Sequence, residues 1–344
     1  MSKFNNFVSL SKQIGERFDL IQSAGGNISC KIDDKLYIKS SGYALSDVDY
    51  NYAFTILNYK FIIEGFKKNH LDNLDLFNIN MNNILLSSLK TGSQLPSMET
   101  YFHAFLKEIT IHTHPISVNL ITTKYNYEKV LNDLFPNSLI IKYCTPGLPL
   151  SLEIFKKYNN NINIIFLQNH GMIVTSDDYE HAKFLQDDVI NIIDKYLNIN
   201  HYKYKICNNF SKIFNTIFNL NFICYLSDSY IDKDIEIIIK NYKPFLPDIL
   251  VFCGYQIIEC NNIEDLNYEF SDFHKQFNTT PTILYHNNYI YIFAKTKRKA
   301  KEIEEIFKSF LILAVNYNHI NYLKSTDLEE INNLSIEIYR KNLL

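Results

Sequence analysis

Glycine is scarce in this chain: 9 stand among 344 residues, where average usage would give about 24. Few residues are left to supply positive φ or close backbone approach, so each glycine marks a candidate tight turn. Gly25, Gly26, Gly42, Gly147 and Gly171 fall in four short polar segments, whereas Gly15, Gly65, Gly92 and Gly254 stand outside them. The scarcity belongs to a wider skew, with 41 Asn and Arg only at 17, 298 and 340, which reads as AT-rich coding rather than adaptation.

Between these turns, periodicity predicts the elements. Phe4, Phe7, Val8, Ser11, Ile14, Phe18 and Ile21 lie at helical spacing and predict an opening helix that ends before Ser23. Residues 27–31 and 35–39 predict a hairpin. Ser97 stands as the N-cap of a helix with Glu99 in its first turn, followed by a strand over 109–114. Strands over 138–143 and 162–167 bracket a helix over 151–158, each strand ending in a glycine-containing turn. Ser176 then caps a helix running to about Leu197. The polar stretch 198–209 is the best boundary, giving domains of 1–205 and 206–344. In the second, a strand over 249–253, a hairpin of 282–286 and 289–294 turning at Asn287-Asn288, and a helix from Lys297 to about Tyr317 predict a smaller α+β unit.

Composition narrows the class. With 47% hydrophobic and 21% charged residues and a net charge of −3, the chain is globular and carries no electrostatic case for nucleic acid. The basic residues at 295–301 read as a solvated first turn. No segment has the length and apolarity of a membrane span or of a secretory signal. Six cysteines without CxxC pairing suit a reducing cytoplasm.

His112-Thr113-His114-Pro115 ends a predicted strand, where side chains two apart share a face about 6.6 Å apart along the chain and can converge on one ion. His170, in Gln168-Asn169-His170-Gly171, also follows a predicted strand at a turn. Three imidazoles with one open position describe a catalytic zinc site, the alternative being hydrogen-bonded core or edge histidines. Glu99 reads either as a helix-dipole carboxylate or as a general acid–base group beside that metal. Gly25-Gly26-Asn27, Ser41-Gly42 and Ser97 could cradle an anion such as phosphate through N–H and hydroxyl groups. Lys39 is the nearest cation, and a solvated strand lysine is its other reading.

Gly25-Gly26-Asn27-Ile28-Ser29, Ile38-Lys39-Ser40-Ser41-Gly42, Pro96-Ser97-Met98-Glu99 with His103, His112-Thr113-His114-Pro115 and Asn169-His170-Gly171 resemble, in order and spacing, the class II aldolase/adducin-like family. That family includes the fuculose-1-phosphate and rhamnulose-1-phosphate aldolases. The resemblance runs over residues 4–197; residues 247–253 and 281–317 are similar to the extra region of longer rhamnulose-1-phosphate aldolase-like members. It implies a three-layer α/β/α fold with a largely antiparallel central sheet and a ring-like homotetramer. It implies His112, His114 and His170 as ligands of one zinc, or another divalent metal, per subunit, and Glu99 as acid–base group. Gly26, Asn27, Ser41, Gly42 and Ser97 match phosphate-binding positions. Tyr143 matches a tyrosine that protonates the leaving aldehyde across a subunit interface, and a buried structural tyrosine is its alternative. Met98 departs from the fuculose enzyme, which has a second phosphate-binding serine there, and points to the longer subgroup or to another anion.

The activity so implied is a zinc-dependent aldolase acting on a small ketose phosphate through a metal-stabilised enediolate. Within the family the alternatives are a decarboxylase of a 3-oxo sugar-acid phosphate, with Lys39 meeting the carboxylate, and a sugar-phosphate 4-epimerase. The related pentulose-phosphate epimerase has Asp where this chain has Glu99. A non-catalytic adducin-like scaffold is the alternative of another class, one that needs no metal ligands.

Overall fold

The computed structural model describes residues 2–68, 74–90, 94–316 and a few positions between 322 and 331. Gly92 and the expected helix end at Tyr317 lie outside them. The chain divides into two compact units, Met1–His201 and Tyr202–Leu344.

The first unit runs α1 (Lys3–Glu16), β1 (Asn27–Ile32), β2 (Lys35–Lys39), β3 (Phe54–Asn58), α2 (Tyr59–Lys68), α3 (Leu74–Ser88), α4 (Thr100–Phe105), β4 (Ile109–Thr113), α5 (Ile116–Thr122), α6 (Tyr127–Leu134), β5 (Leu139–Ile141), α7 (Leu148–Lys157), β6 (Ile164–Leu167), β7 (Gly171–Ser176) and α8 (Tyr179–Leu197). Its seven strands form one sheet in the order β3-β2-β1-β4-β7-β6-β5. Every neighbouring pair is antiparallel except β5 and β6. Strand alternation sorts the side chains into two layers. Ile28, Cys30, Ile109, Ile111, Met172 and Val174 join α1, α5, α6 and α8 in one apolar core. Ile173, Ile165 and Leu167 face Phe102 of α4 and Leu150 and Ile154 of α7 on the other side. The result is helix, sheet, helix, with a largely antiparallel sheet.

Several sequence expectations are corrected. Helix α1 stops at Glu16, because Arg17 is extended (φ −87°, ψ 104°) and its buried guanidinium binds Asp19 and Asp187. Helix α4 begins at Thr100, with Glu99 at its N-cap position making no side-chain cap; the backbone amide that Ser97 Oγ accepts from is that of Glu99, at 3.3 Å, not one inside the helix. Ser176 is the last residue of β7, and Asp178 caps α8 by accepting from the His181 amide. Strands β3 and β7 and helices α2, α3, α5 and α6 are additional elements.

The second unit runs α9 (Tyr202–Lys205), α10 (Cys207–Phe218), β8 (Ile223–Leu226), α11 (Lys233–Lys240), α12 (Pro247–Cys253), β9 (Ile258–Glu259), α13 (Leu266–Phe277), β10 (Ile283–His286), β11 (Tyr289–Ala294) and α14 (Lys297–Asn316). Its sheet order is β8-β11-β10-β9. Leu284, Tyr291 and Phe293 pack on α10 and α13, while Ile283, Tyr285, Ile290 and Ile292 pack on α11, α12 and α14. The expected strand over 249–253 is helix α12 instead. Pro247 opens it at a position where its missing N–H costs nothing, and Gly254 at φ 83° ends it. A seven-residue apolar run cannot by itself tell the two apart.

Candidate metal and acid–base site

The site lies on the α4 side of the first sheet, where strand alternation interrupts the apolar layer with polar residues. Asn27 and His112 are paired across β1 and β4, so both side chains rise from the same face of the sheet. His114 follows the end of β4, its amide donating to the Leu20 carbonyl at 3.0 Å. His170 sits in the β6–β7 turn, where Asn169 takes φ 56°, a conformation asparagine tolerates. Gly171 follows it, and a Cβ there would stand 2.2 Å from the Thr113 carbonyl and 3.1 Å from His114 Cδ2. Only glycine lets that hairpin press against the strand that carries the other two histidines.

The ring nitrogens of His112, His114 and His170 lie within 4.8 Å of one another, and among the described residues these three form the group able to hold a metal. Nδ1 of the fully buried His112 donates to the Met172 carbonyl at 2.9 Å, which leaves Nε2 as the nitrogen that would offer its lone pair to a bound metal. His114 Nε2 is 3.0 Å from it. The Glu99 carboxylate closes the cluster, Oε2 lying 3.3 Å from His112 Nε2 and Oε1 lying 3.4 Å from His170 Nε2. Oε1 is buried without a hydrogen-bond partner. Three convergent imidazoles, a ring oriented by a backbone carbonyl and an unpaired carboxylate oxygen fit a divalent cation, with neutral nitrogen donors that suit zinc.

Electrostatics couples these groups. Burial alone would raise the Glu99 carboxyl, but the facing His112 and His170 rings and the Asn27 amide outweigh it and hold it below the usual carboxylate range. Burial opposes charge on His112, yet Glu99 outweighs it and holds that ring above its ordinary value. Burial, reinforced by neighbouring rings, brings His114 down to about 3 and His170 to about 4 from 6.5. Between those values an unfolded chain takes up protons that the folded one refuses, so stability rises with pH there. The metal-free protein is expected to lose thermal stability as pH falls from about 6.5 to 4. Melting curves across that range check this. Replacing His114 and His170 together by Asn should flatten the dependence, and an unchanged slope would contradict the assignment.

Around the cluster the remaining expected residues take different positions. Asn27 Nδ2 donates to Glu99 Oε2 at 2.9 Å and to Ser97 Oγ at 3.1 Å. Gly26 takes φ 63° beside the His112 carbonyl, and Gly42 takes φ 83° in open space. Ser41 is exposed, and its amide already donates to the Leu95 carbonyl at 3.0 Å. Buried Lys39 donates to the carbonyls of Ala24, Ser40 and Tyr43 at 3.1, 3.3 and 2.9 Å. Burial brings its ammonium down to about 8. All three of its donors are engaged, so it holds the two loops rather than meeting solvent. Tyr143 is not in the cluster: it is 59% exposed and lines an open groove of about 530 Å³ with Phe77, Leu148, Leu152 and Lys156.

Sequence reasoning left His103 and Ser29 without a role. His103 is fully buried and bonds Ser29 Oγ at 2.7 Å through Nδ1 and Asn27 Oδ1 through Nε2. The signal was present in the four-residue interval from Glu99 to His103, which sets His103 about one helical turn beyond the N-cap position.

Residues 5–193, more than half of the chain, match the family described as Class II Aldolase and Adducin N-terminal domain. Among solved structures, the N-terminal class II aldolase domain of a conserved protein from Thermoplasma acidophilum is similar at 24% identity and TM-score 0.51, over 57% of this chain and 94% of that one. YgbL of Klebsiella pneumoniae is similar at 13% identity and TM-score 0.42, over 59% and 93%. L-fuculose-1-phosphate aldolase from Thermus thermophilus is similar at 12% identity and TM-score 0.38, over 56% and 94%. No curated protein matches the chain. No helix among the described residues is long and apolar enough to cross a membrane. With its sheet, its layers and residues 5–193 all matched, the chain belongs to the class II aldolase and adducin N-terminal domain family.

Proposed function

We propose that the protein is a zinc-dependent carbon–carbon lyase that cleaves or forms a small ketose phosphate. The observation that carries this reading is the convergence of three imidazoles with the Glu99 carboxylate held against two of them. A bound zinc would supply Lewis-acid stabilisation of the negative charge that develops on substrate oxygen. Glu99 holds and moves the proton. Its Oε2 is fixed by Asn27 Nδ2, and its unpaired Oε1 takes the proton from the carbon that becomes nucleophilic. Burial of Glu99 at 6% exposure keeps water from competing for that proton.

Ser97 Oγ accepts from both Asn27 and the Glu99 amide, so its own proton is the one it offers to an anion at the site mouth. Together with the turns at Gly26, Ser41 and Gly42 it forms the phosphate cradle, which Lys39 braces through its three carbonyl contacts. Tyr143, exposed on its own chain, acts across the interface of a homotetramer as the acid for the aldehyde oxygen. All six cysteines are free, which suits the reducing cytoplasm in which we place the enzyme. The engagement of Lys39 Nζ with three carbonyls favours the lyase over the decarboxylase reading, which drew on that cation.

Metal analysis of the purified protein tests the reading, followed by a zinc-replete screen of ketose phosphates and 3-oxo acid phosphates. About one metal per chain and release of triose phosphate are expected. Carbon dioxide without triose phosphate would replace the lyase by a decarboxylase. A metal-free protein that gains nothing from added zinc would leave the scaffold.

A further inference from the structure

We propose that His103 is a positioning residue for Glu99 that acts through the side-chain amide of Asn27. The proposal rests on the reading of Glu99 as the acid–base group. The chain of contacts is buried and, with a neutral His103 ring, has one self-consistent arrangement of hydrogens. Glu99 Oε2 is an acceptor, so the Asn27 nitrogen must face it, at 2.9 Å, with its second N–H toward Ser97 Oγ at 3.1 Å. Asn27 Oδ1 is then turned toward His103 Nε2, which must carry the proton and donate. His103 Nδ1 is consequently unprotonated and accepts from the Ser29 hydroxyl at 2.7 Å. A neutral ring fits this wiring, and complete burial disfavours the charged form that would donate from both nitrogens.

Removing His103 as a donor leaves Asn27 Oδ1 unpaired in a buried site, and a half-turn of the amide becomes competitive. That half-turn would set a carbonyl oxygen against the Glu99 carboxylate and swing it from the histidines. The Asn27 amide therefore has every polar atom engaged within the protein: Oδ1 with His103 and the two Nδ2 hydrogens with Ser97 and Glu99. Its side chain acts as a relay rather than as a phosphate ligand, and the anion is left to Ser97 and the glycine turns.

Two measurements test the proposal. In the zinc-loaded protein, solvent deuterium exchange at the hydroxymethyl carbon of dihydroxyacetone phosphate, with no aldehyde present, reads the proton transfer alone. His103→Phe is expected to lower the maximal exchange rate on the order of 10- to 100-fold, with little change in the dihydroxyacetone phosphate KM and with zinc retained. His103→Gln, which restores a donor, should recover part of the loss. In an Asn27→Ala background, His103→Phe should add almost nothing, because the relay is already cut. An equal loss in that background, or a loss confined to KM, would overturn the proposal.

The second measurement needs no substrate: nitrogen-15 spectra of histidine-labelled, metal-free protein. They should show His103 neutral with Nε2 protonated, and a mixed tautomer in Asn27→Ala. An Nδ1-protonated ring in the parent protein would overturn the wiring. Absence of exchange in the parent protein, with the expected tautomer present, would instead count against the lyase reading and leave the hydrogen-bond relay standing.

Discussion

Glu99→Gln is expected to lower turnover by about a thousandfold or more while leaving the metal content unchanged. General acid–base groups contribute roughly 10²- to 10⁴-fold, and Glu99 is the carboxylate set against the histidine cluster in this site. The substitution keeps the shape of the side chain. Its oxygen can still accept from Asn27 Nδ2, but the amide cannot take up a proton. Steady-state kinetics on the substrate found by the ketose phosphate screen, with metal analysis of the same preparation, checks the outcome. A rate within a few-fold of the parent would remove Glu99 from its role. Loss of metal together with activity would mean that Glu99 serves the metal first.

Substitution of His112 by Ala carries the largest expected effect on both metal and fold. His112 is completely buried, with Nδ1 tied to Met172 on β7 and its ring edge-on to Phe102 at 5.7 Å. It also faces the carboxylate whose charge it balances, and breaking a buried charge pair by removing one partner costs about 3–5 kcal/mol. Proton uptake by Glu99 offsets part of that, and the vacated volume against Phe102 adds a packing cost. Zinc binding should be lost, and the melting temperature of the metal-free protein should fall by roughly 5–15 °C, at about 2–4 °C per kcal/mol for a unit of this size. Calorimetry of metal-free parent and variant separates the fold cost from the loss of metal. A variant that binds zinc stoichiometrically would remove His112 from the ligand set. An unchanged melting temperature would show that its pairing with Glu99 contributes nothing to stability.

Local pattern carried much of the architecture. The alternation in residues 27–39 and 283–294 produced hairpins where expected, with Asn287 and Asn288 at φ 48° and 64° in the second turn. The long periodic stripes became α8 and α14. The failures share a cause. Strand β7 is buried along its whole length, so Met172-Ile173-Val174 has no polar alternation to announce it. Helix α12 is a short apolar run that pattern alone cannot tell from a strand, and its ends are set by Pro247 and Gly254. Helix α4 starts late because the Glu99 side chain turns to the histidines instead of capping the helix.

What the sequence determined by itself was the set of groups: three histidines, one glutamate and glycines at the turns, in an order that permits one site. Short-range rules suffice for that, because a histidine pair two residues apart on a strand must share a face. Only the tertiary structure decided their connections. The register of β1 on β4 sets Asn27 beside His112, and the β6–β7 turn carries His170 to the same nitrogens. It left Tyr143 outside the cluster and engaged Lys39 with carbonyls. The pairings that build the site join residues up to 85 positions apart in the chain, as Asn27 and His112 are, and contacts of that kind depend on burial and strand register, which no local pattern encodes.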